Sequence, residues 1–565
     1  MLTFVVILLF QPLLKKYLPQ PPEQKPATPQ QAQTPTQPPI PLNASSGQAT
    51  GFQPAPGATS PQARRQAANE SLTVVENDLY RITFTNRGGQ VKSWILKKYT
   101  DEKGNPLELV NTAAAEKYGY PLSLWSYDQN LRDRLNSALY VVESTGTIAP
   151  AEIKFEYADG DLAVHKTYNF DHSYVVEVAT SVELKGVSVS AFPMWPSGFG
   201  DDTTLPSYAA NQVVYQYDSR IERLAIKKIS GGNTLPGPFH WAGVADQYFA
   251  AVFIPRDPAN AAMLTLHNSL NVPKDANHPE NNQTVPVDVL GAAVGNLQGP
   301  TVARLYVGPK SLPDLEAVKV PGISGADADL RAVVDFGWLG YIARPLFLWL
   351  KWTYKYVPNW GWAIIIQTII INVALLPLRL SQMKSMLKMQ RVAPQIKVIQ
   401  EKYKKYSLRD PRKAEMNQEI SALYKEHGVN PVGGCLPLLI QMPFLFAYYR
   451  MLGVAIDLRH ASWFWVHDLS ASDPLHILPI AIIITMLFMQ RMTPQAGMDP
   501  AQQKMMNIMM PGMLGVISWN LAAGLCLYWS VGNLIGIVQQ AVMNRTKLGR
   551  EMREMMEKRA RKKDK

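Results

Sequence analysis

From Gly361 to Leu378 the chain carries no charged residue, and most of its side chains are aliphatic (GWAIIIQTIIINVALLPL). A helix needs roughly 20 such residues to cross the hydrocarbon of a bilayer. Similar runs follow at about 434–452, 475–491, 505–521 and 524–543, giving with the first, at 361–380, five predicted spans. Only Ala522-Ala523-Gly524 separates the last two, which predicts a tight helical hairpin. Trp360 and Trp362 mark a membrane boundary. Just before them, FGWLGYIARPLFLWLKWTYKY mixes aromatics with Arg344, Lys351 and Lys355, the pattern of an amphipathic helix lying in the interface.

The rest of the chain differs. Mean hydropathy over all residues is only −0.10, so the protein is not embedded throughout. Leu2 to Phe10 is apolar but too short to span, and Lys15-Lys16 follow; it reads as a signal anchor whose first residues are missing. The next stretch (QPPEQKPATPQQAQTPTQPP) is too poor in apolar side chains for a packed core and predicts a disordered tether. Between about 71 and 320 the pattern is β. TVVENDLYRITFTNRGG alternates apolar and polar residues, turns at Gly88-Gly89, and continues as QVKSWILKKY. KFEYADGDLAVHKTYNF turns at Asp159-Gly160, and YVVEVATSVEL, YFAAVFIP, AAMLTLH and VARLYVGP are further strands. Many short strands without intervening helices predict a sandwich.

The expected organisation is therefore an anchor (1–18), a linker (19–70), a β domain (71–320), an interfacial helix region (321–358), a membrane core (359–543) containing a helical hairpin at 380–428, and a basic tail (544–565). Net charge is +11, concentrated in 379–425 and after Asn544. Positive loops stay inside, so hairpin and tail are predicted cytoplasmic and the β domain periplasmic, in the inner membrane of a Gram-negative-type cell. With an anchor span, the N-terminus would be cytoplasmic too. Met386, Met389, Val392, Ile396, Ile399 and Tyr403 recur at helical spacing in the hairpin, opposite a basic face suited to ribosomes, targeting factors, nascent chains or anionic lipid.

The chemistry of catalysis is missing. His165, His172, His240 and His267 are scattered, Cys435 and Cys526 lie in apolar runs, and no phosphate loop, zinc spacing or nucleophile elbow occurs. Neither cofactor nor metal is expected. What remains is a polar notch. Gln367, Thr368 and Asn372 interrupt the first span; Thr368 and Asn372 share a face, with Arg379 seven residues further on. Gln441 interrupts the second span, and Asn520, Ser530 and Asn533 the last two. Polar groups inside a bilayer face the bundle interior or water. Interhelical hydrogen bonding is the plain explanation. A transporter would need mid-membrane carboxylates and internal repeats, and an envelope carbohydrate-modifying protein would need reactive groups in the β domain; neither is seen.

Several stretches resemble the YidC family of membrane protein insertases: NPVGGCLPLLIQMPFLFAYYRML at 430–452, WFWVHDLSASDPLHILPI at 463–480, DPAQQKMMNIMMP at 499–511, GLCLYWSVGNLIGIVQQ at 524–540, and VENDLYRITFTNRGGQVKSWILKKY at 75–99. The resemblance implies a periplasmic β-supersandwich, related to sugar mutarotases but without their activity. It implies five core helices around a hydrophilic groove, open to cytosol and lipid and closed to the periplasm. It implies a non-enzymatic insertase and chaperone for nascent membrane proteins, working alone or with the Sec translocon. The family places an arginine on the first core helix where this chain has Asn372, which makes Arg379 the substitute cation. Thr368 and Gln441 match groove positions, and Trp529 stands where the family has a tyrosine.

Overall fold

The computed structural model describes residues 64–550, apart from 218–219, 225, 275–282, 321–327, 407–409, 429–435, 493–504 and 548, together with Glu551 and Glu554. The expected anchor (1–18) and nearly all of the linker lie outside the described residues, as do the NPVGG and DPAQQK segments and the Gln441 side chain.

Alternating side chains build the β domain. Ala151–Asp159 pairs with Leu162–Phe170 across the Asp159-Gly160 turn, with Gly160 at φ +63°. The first run forms two strands rather than one, Leu72–Glu76 and Tyr80–Thr85. Asn77 explains the break: its side-chain oxygen accepts from the Leu79 and Tyr80 amides at 2.8 and 2.9 Å and turns the chain locally. Gly88 and Gly89, both at positive φ, then turn it into Gln90–Thr100.

The strands assemble into a ten-stranded antiparallel sheet, a five-stranded one built on the hairpin Ala261–Pro273 with Thr284–Asn296, and a four-stranded one. Trp94, Trp195, Trp241, Phe155 and Tyr168 are fully buried in one shared core. Each such side chain contributes about 1.5–3 kcal/mol on burial. Four short helices, Thr112–Tyr118, Gln129–Ser137, Leu205–Ala210 and Leu312–Ala317, interrupt the expected run of strands. Asn111, Asp128 and Thr204 cap the first three by accepting from exposed helix amides.

Beyond Gly337 the chain is helical: α1 (Gly340–Tyr356), α2 (Trp360–Ala374), α3 (Leu376–Lys402), α4 (Arg412–Glu426), α5 (Leu436–Val454), α6 (Ile477–Met492), α7 (Met510–Ser518) and α8 (Ala523–Arg545). The expectation of five core transmembrane helices is overturned. Among the described residues one helix, α8, is long and apolar enough to cross a bilayer; a second span arises only if α1 and α2, bent by 120°, count as one. Runs that look continuous in composition break in space. α2 ends at Ala374, before Pro377. α7 is nine residues long and follows a π-helical turn at Met505–Met509. α6 has 16 residues, and in α5 two prolines, Tyr448, Tyr449 and Arg450 dilute the apolar run.

α3 and α4 pack as a hairpin, Val392 and Ile396 against Ile420, Leu423 and Tyr424. Lys402 reaches Glu419 at 2.8 Å across it. Several contacts join the β domain to the helices. Asp335, in the segment before α1, pairs with Arg450 of α5 at 2.5 Å and with Arg223 of the β domain at 4.0 Å, while Lys351 of α1 pairs within the helical half with Asp457 at 3.1 Å. The Gln247 amide donates to the Gly453 carbonyl at 2.9 Å, and Thr100 Oγ1 lies 3.1 Å from His460 Nδ1. Burial alone would raise the Asp335 carboxyl, but Arg223 and Arg450 more than offset it and hold it below the usual range.

Candidate functional site

α2 starts at Asn359, whose side chain accepts from the Trp362 amide at 3.1 Å and donates to the Ser462 carbonyl at 3.1 Å. One face of the helix, with Ile364, Gln367, Thr368, Ile371 and Asn372, is buried. The opposite face exposes Ile369, Ile370 and Val373. α6 and α8 continue this apolar outer surface with Ile480, Ile484, Phe488, Leu534, Val538 and Val542. A stripe of that extent is unfavourable in water and suits lipid.

The inner face holds the polar residues. Thr368 Oγ1 donates to the Ile364 carbonyl at 2.6 Å, and Asn372 Nδ2 to the Thr368 carbonyl at 2.8 Å. Both side chains thus satisfy themselves on their own helix, the usual arrangement for short polar groups in an apolar setting. Arg379, at the start of α3, turns back and donates Nη2 to Asn372 Oδ1 at 3.0 Å. Its side chain is half-buried, and no carboxylate among the described residues is in ion-pair range.

Gln367 belongs to a different contact. Its amide donates to the Leu346 carbonyl of α1 at 2.9 Å, and its oxygen accepts a short hydrogen bond from the Tyr448 hydroxyl of α5. Tyr448 stacks on Tyr528 of α8 with ring centroids 4.1 Å apart. Gln367 thus ties helices together rather than facing Asn372. Trp529 is half-buried, and Asn520 lies exposed beyond the end of α7.

Three residues that sequence reasoning passed over complete the arrangement. Gln539 of α8 donates to the Asn372 backbone carbonyl at 3.2 Å. Gly532 and Gly536 of α8 face α2 and Arg379: a Cβ on Gly532 would lie 3.9 Å from both Asn372 Nδ2 and Thr368 Cγ2, and one on Gly536 would lie 3.0 Å from Arg379 Nη1. The available signal was the small-x-x-x-small spacing GNLIG at 532–536, which lets helices approach closely. Asn533 and Ser530 instead tie α8 to α6, through Thr485 at 3.1 Å and the Leu478 carbonyl at 3.3 Å.

The end of the bundle nearest the β domain is covered by the loop before α6. Ala471 and Leu469 carbonyls accept from the Ala523 and Gly524 amides at 2.6 and 2.8 Å. Asp473, fully buried, accepts from the Trp465 indole at 3.1 Å and from the Leu478 amide at 2.7 Å.

One acidic cluster lies in the β domain. Asp201, Asp202 and Asp246 bring carboxylate oxygens within 4.8 Å of one another. Burial, and then the nearby Asp246 charge, push the Asp202 carboxyl up to about 8. One buried oxygen of each lacks a hydrogen-bond partner among the described residues. Arg459 and Lys310 add positive charge beside them.

A β domain on a short-helix bundle with a lipid-suited surface and a polar inner notch holding one arginine describes a membrane-embedded assembly rather than a soluble enzyme. Family comparison makes this specific. Residues 72–349 match the family described as YidC periplasmic domain, and residues 352–550 match the 60Kd inner membrane protein family. Membrane protein insertase YidC of Syntrophus aciditrophicus is 32% identical over 96% of this chain and 98% of its own length. That of Geobacter sulfurreducens is 34% identical over 83% and 85%. A solved active YidC insertase covers 86% of this chain and 95% of its own at 18% identity, with a TM-score of 0.34, too low to add to the argument. The chain belongs to the YidC family of membrane protein insertases. It is an inner-membrane protein with a periplasmic β domain, and it acts as an insertase and chaperone, not as a catalytic enzyme.

Proposed function

We propose that the face formed by Thr368, Asn372 and Arg379, closed on one side by α8, hydrates the polar flank of a nascent membrane protein while its apolar segment passes into lipid. Gln441 and Trp529 are proposed to extend this path. On this reading Arg379 is the cation of the notch. The supporting observation is its inward turn: a half-buried guanidinium bonded to Asn372 Oδ1 at 3.0 Å, with no carboxylate beside it among the described residues. An arginine left without an anion retains donors for an incoming acceptor.

The route works because moving a short flank across about 30 Å of hydrocarbon is costly, and a polar notch shortens that distance. Burial of the apolar segment supplies the driving force, so neither nucleotide nor ion gradient is needed. The chain is proposed to cross the membrane more than once, with the α3–α4 hairpin and the basic tail in the cytoplasm. There they meet ribosomes, targeting factors and anionic lipid, while the Sec translocon joins for longer substrates. The domain boundaries given above stand as part of this proposal.

The test is insertion of a short single-span substrate into proteoliposomes without nucleotide. Arg379→Ala should slow insertion about tenfold, the effect of losing one charge-assisted contact. Asn372→Ala should cost less. The opposite order would remove Arg379 from the mechanism.

A further inference from the structure

We infer that Gly536 is a positioning residue whose missing side chain seats the Arg379 guanidinium in the notch. The inference rests on the reading of Arg379 as the notch cation and adds what holds that cation inward.

Arg379 does not point into the notch by default. It lies beyond the end of α2, past the break at Leu375, in the first turn of α3. To reach Asn372 its side chain must run back along α8. Space decides whether it can. A Cβ on Gly536 would sit 3.0 Å from Arg379 Nη1 and 3.0 Å from Met489 Sδ. Both separations are tighter than ordinary van der Waals contact, and both neighbours are ends of flexible side chains. The easiest response to an added methyl is therefore displacement of the guanidinium, not of the helix.

The partner end is also fixed from α8. Gln539, three residues beyond Gly536 and on the same helical face, donates to the Asn372 carbonyl at 3.2 Å. That bond meets α2 in its last turn, where the carbonyls run out of intrahelical donors. A single turn of α8 thus sets both members of the pair: Gln539 holds Asn372, and Gly536 leaves room for Arg379.

Gly512 of α7 provides an internal control. It too is a helical glycine, but a Cβ there would meet nothing within 4 Å among the described residues. Gly512→Ala and Gly536→Ala add the same methyl and differ in what it meets.

The experiment is a double-substitution cycle in the full-length protein in proteoliposomes, reading insertion of the short single-span substrate per unit of folded protein. Gly536→Ala should lower insertion about fivefold, the size of coupling between side chains in direct contact. Gly512→Ala should leave it within about 1.5-fold, as a methyl in open space does. In the Arg379→Ala background Gly536→Ala should cost nothing further, because the side chain it displaces is gone. A purely structural role for Gly536 would not vanish there. Equal losses in both backgrounds, or equal effects of the two glycine substitutions, overturn the inference. Normalising to folded protein keeps this decisive if Gly536→Ala lowers yield, since both backgrounds share that loss. If Arg379→Ala itself leaves insertion intact, the reading beneath fails instead, and the two failures are distinct.

Discussion

Lys166 and Arg379, one in each half of the molecule, have no carboxylate partner among the described residues and are held in opposite ways. Lys166 is fully buried in the β domain, and its ammonium donates to the Gly88, Gly89 and Leu122 carbonyls at 2.7, 3.2 and 3.0 Å. An ammonium has three donors, and all three are used. Arg379 is half-buried in the helical half and makes one hydrogen bond among the described residues, to Asn372. A guanidinium has five donors. The saturated cation is a pin that closes the Gly88-Gly89 turn against the next segment. The unsaturated one is a site that can still receive an acceptor. Burial alone does not separate structure from function here; the count of satisfied donors does.

The comparison is testable at both ends. Lys166→Met keeps the length of the side chain but strands three carbonyls, so it should lower the stability of the β domain by ~3 kcal/mol or more. Denaturant unfolding followed by tryptophan fluorescence measures this. Insertion per folded molecule should stay unchanged. Arg379→Ala should show the reverse: slow insertion with near-normal stability. If the two substitutions have the same signature, the distinction collapses.

A smaller effect sharpens the β side. The Asp202 carboxyl, raised by burial and by Asp246 to about 8 from an ordinary 3.8, binds its proton more tightly in the folded chain. Its contribution to stability is therefore complete below about pH 4 and is lost as pH rises toward about 8. The melting temperature should fall by a few degrees over that window. Asp202→Asn should flatten the slope, whereas an unchanged slope would place the proton elsewhere.

Some of this was readable before any coordinates. The Asp159-Gly160 turn and the strands on either side of it were legible in KFEYADGDLAVHKTYNF, but the burial of Lys166 beside Val164, Tyr168 and Phe170 was not read from it. The four-residue spacing of Thr368 and Asn372 put them on one face, and both are buried on it. Gln367, adjacent in sequence, is about 100° around the helix, which is why it bonds to α1 and α5 instead. The count of five spans failed because composition averages over breaks: it does not register the stop before Pro377 or the π turn at Met505–Met509. Asn77 split a strand by a local side-chain bond that alternation does not reveal. Gly536 and Gln539 stayed silent because their roles depend on what another helix brings to them.

Insertion by this route requires the polar flank of a substrate to travel along the inner face of α2. Photoreactive side chains at Thr368 and Gly532, on the notch, and at Ile370 and Val373, on the outer face, would read this with a stalled nascent chain. The flank should crosslink at 368 and 532 and not at 370 or 373, and Arg379→Ala should weaken those crosslinks. Equal or stronger crosslinking of the flank at 370 and 373 would contradict the central claim.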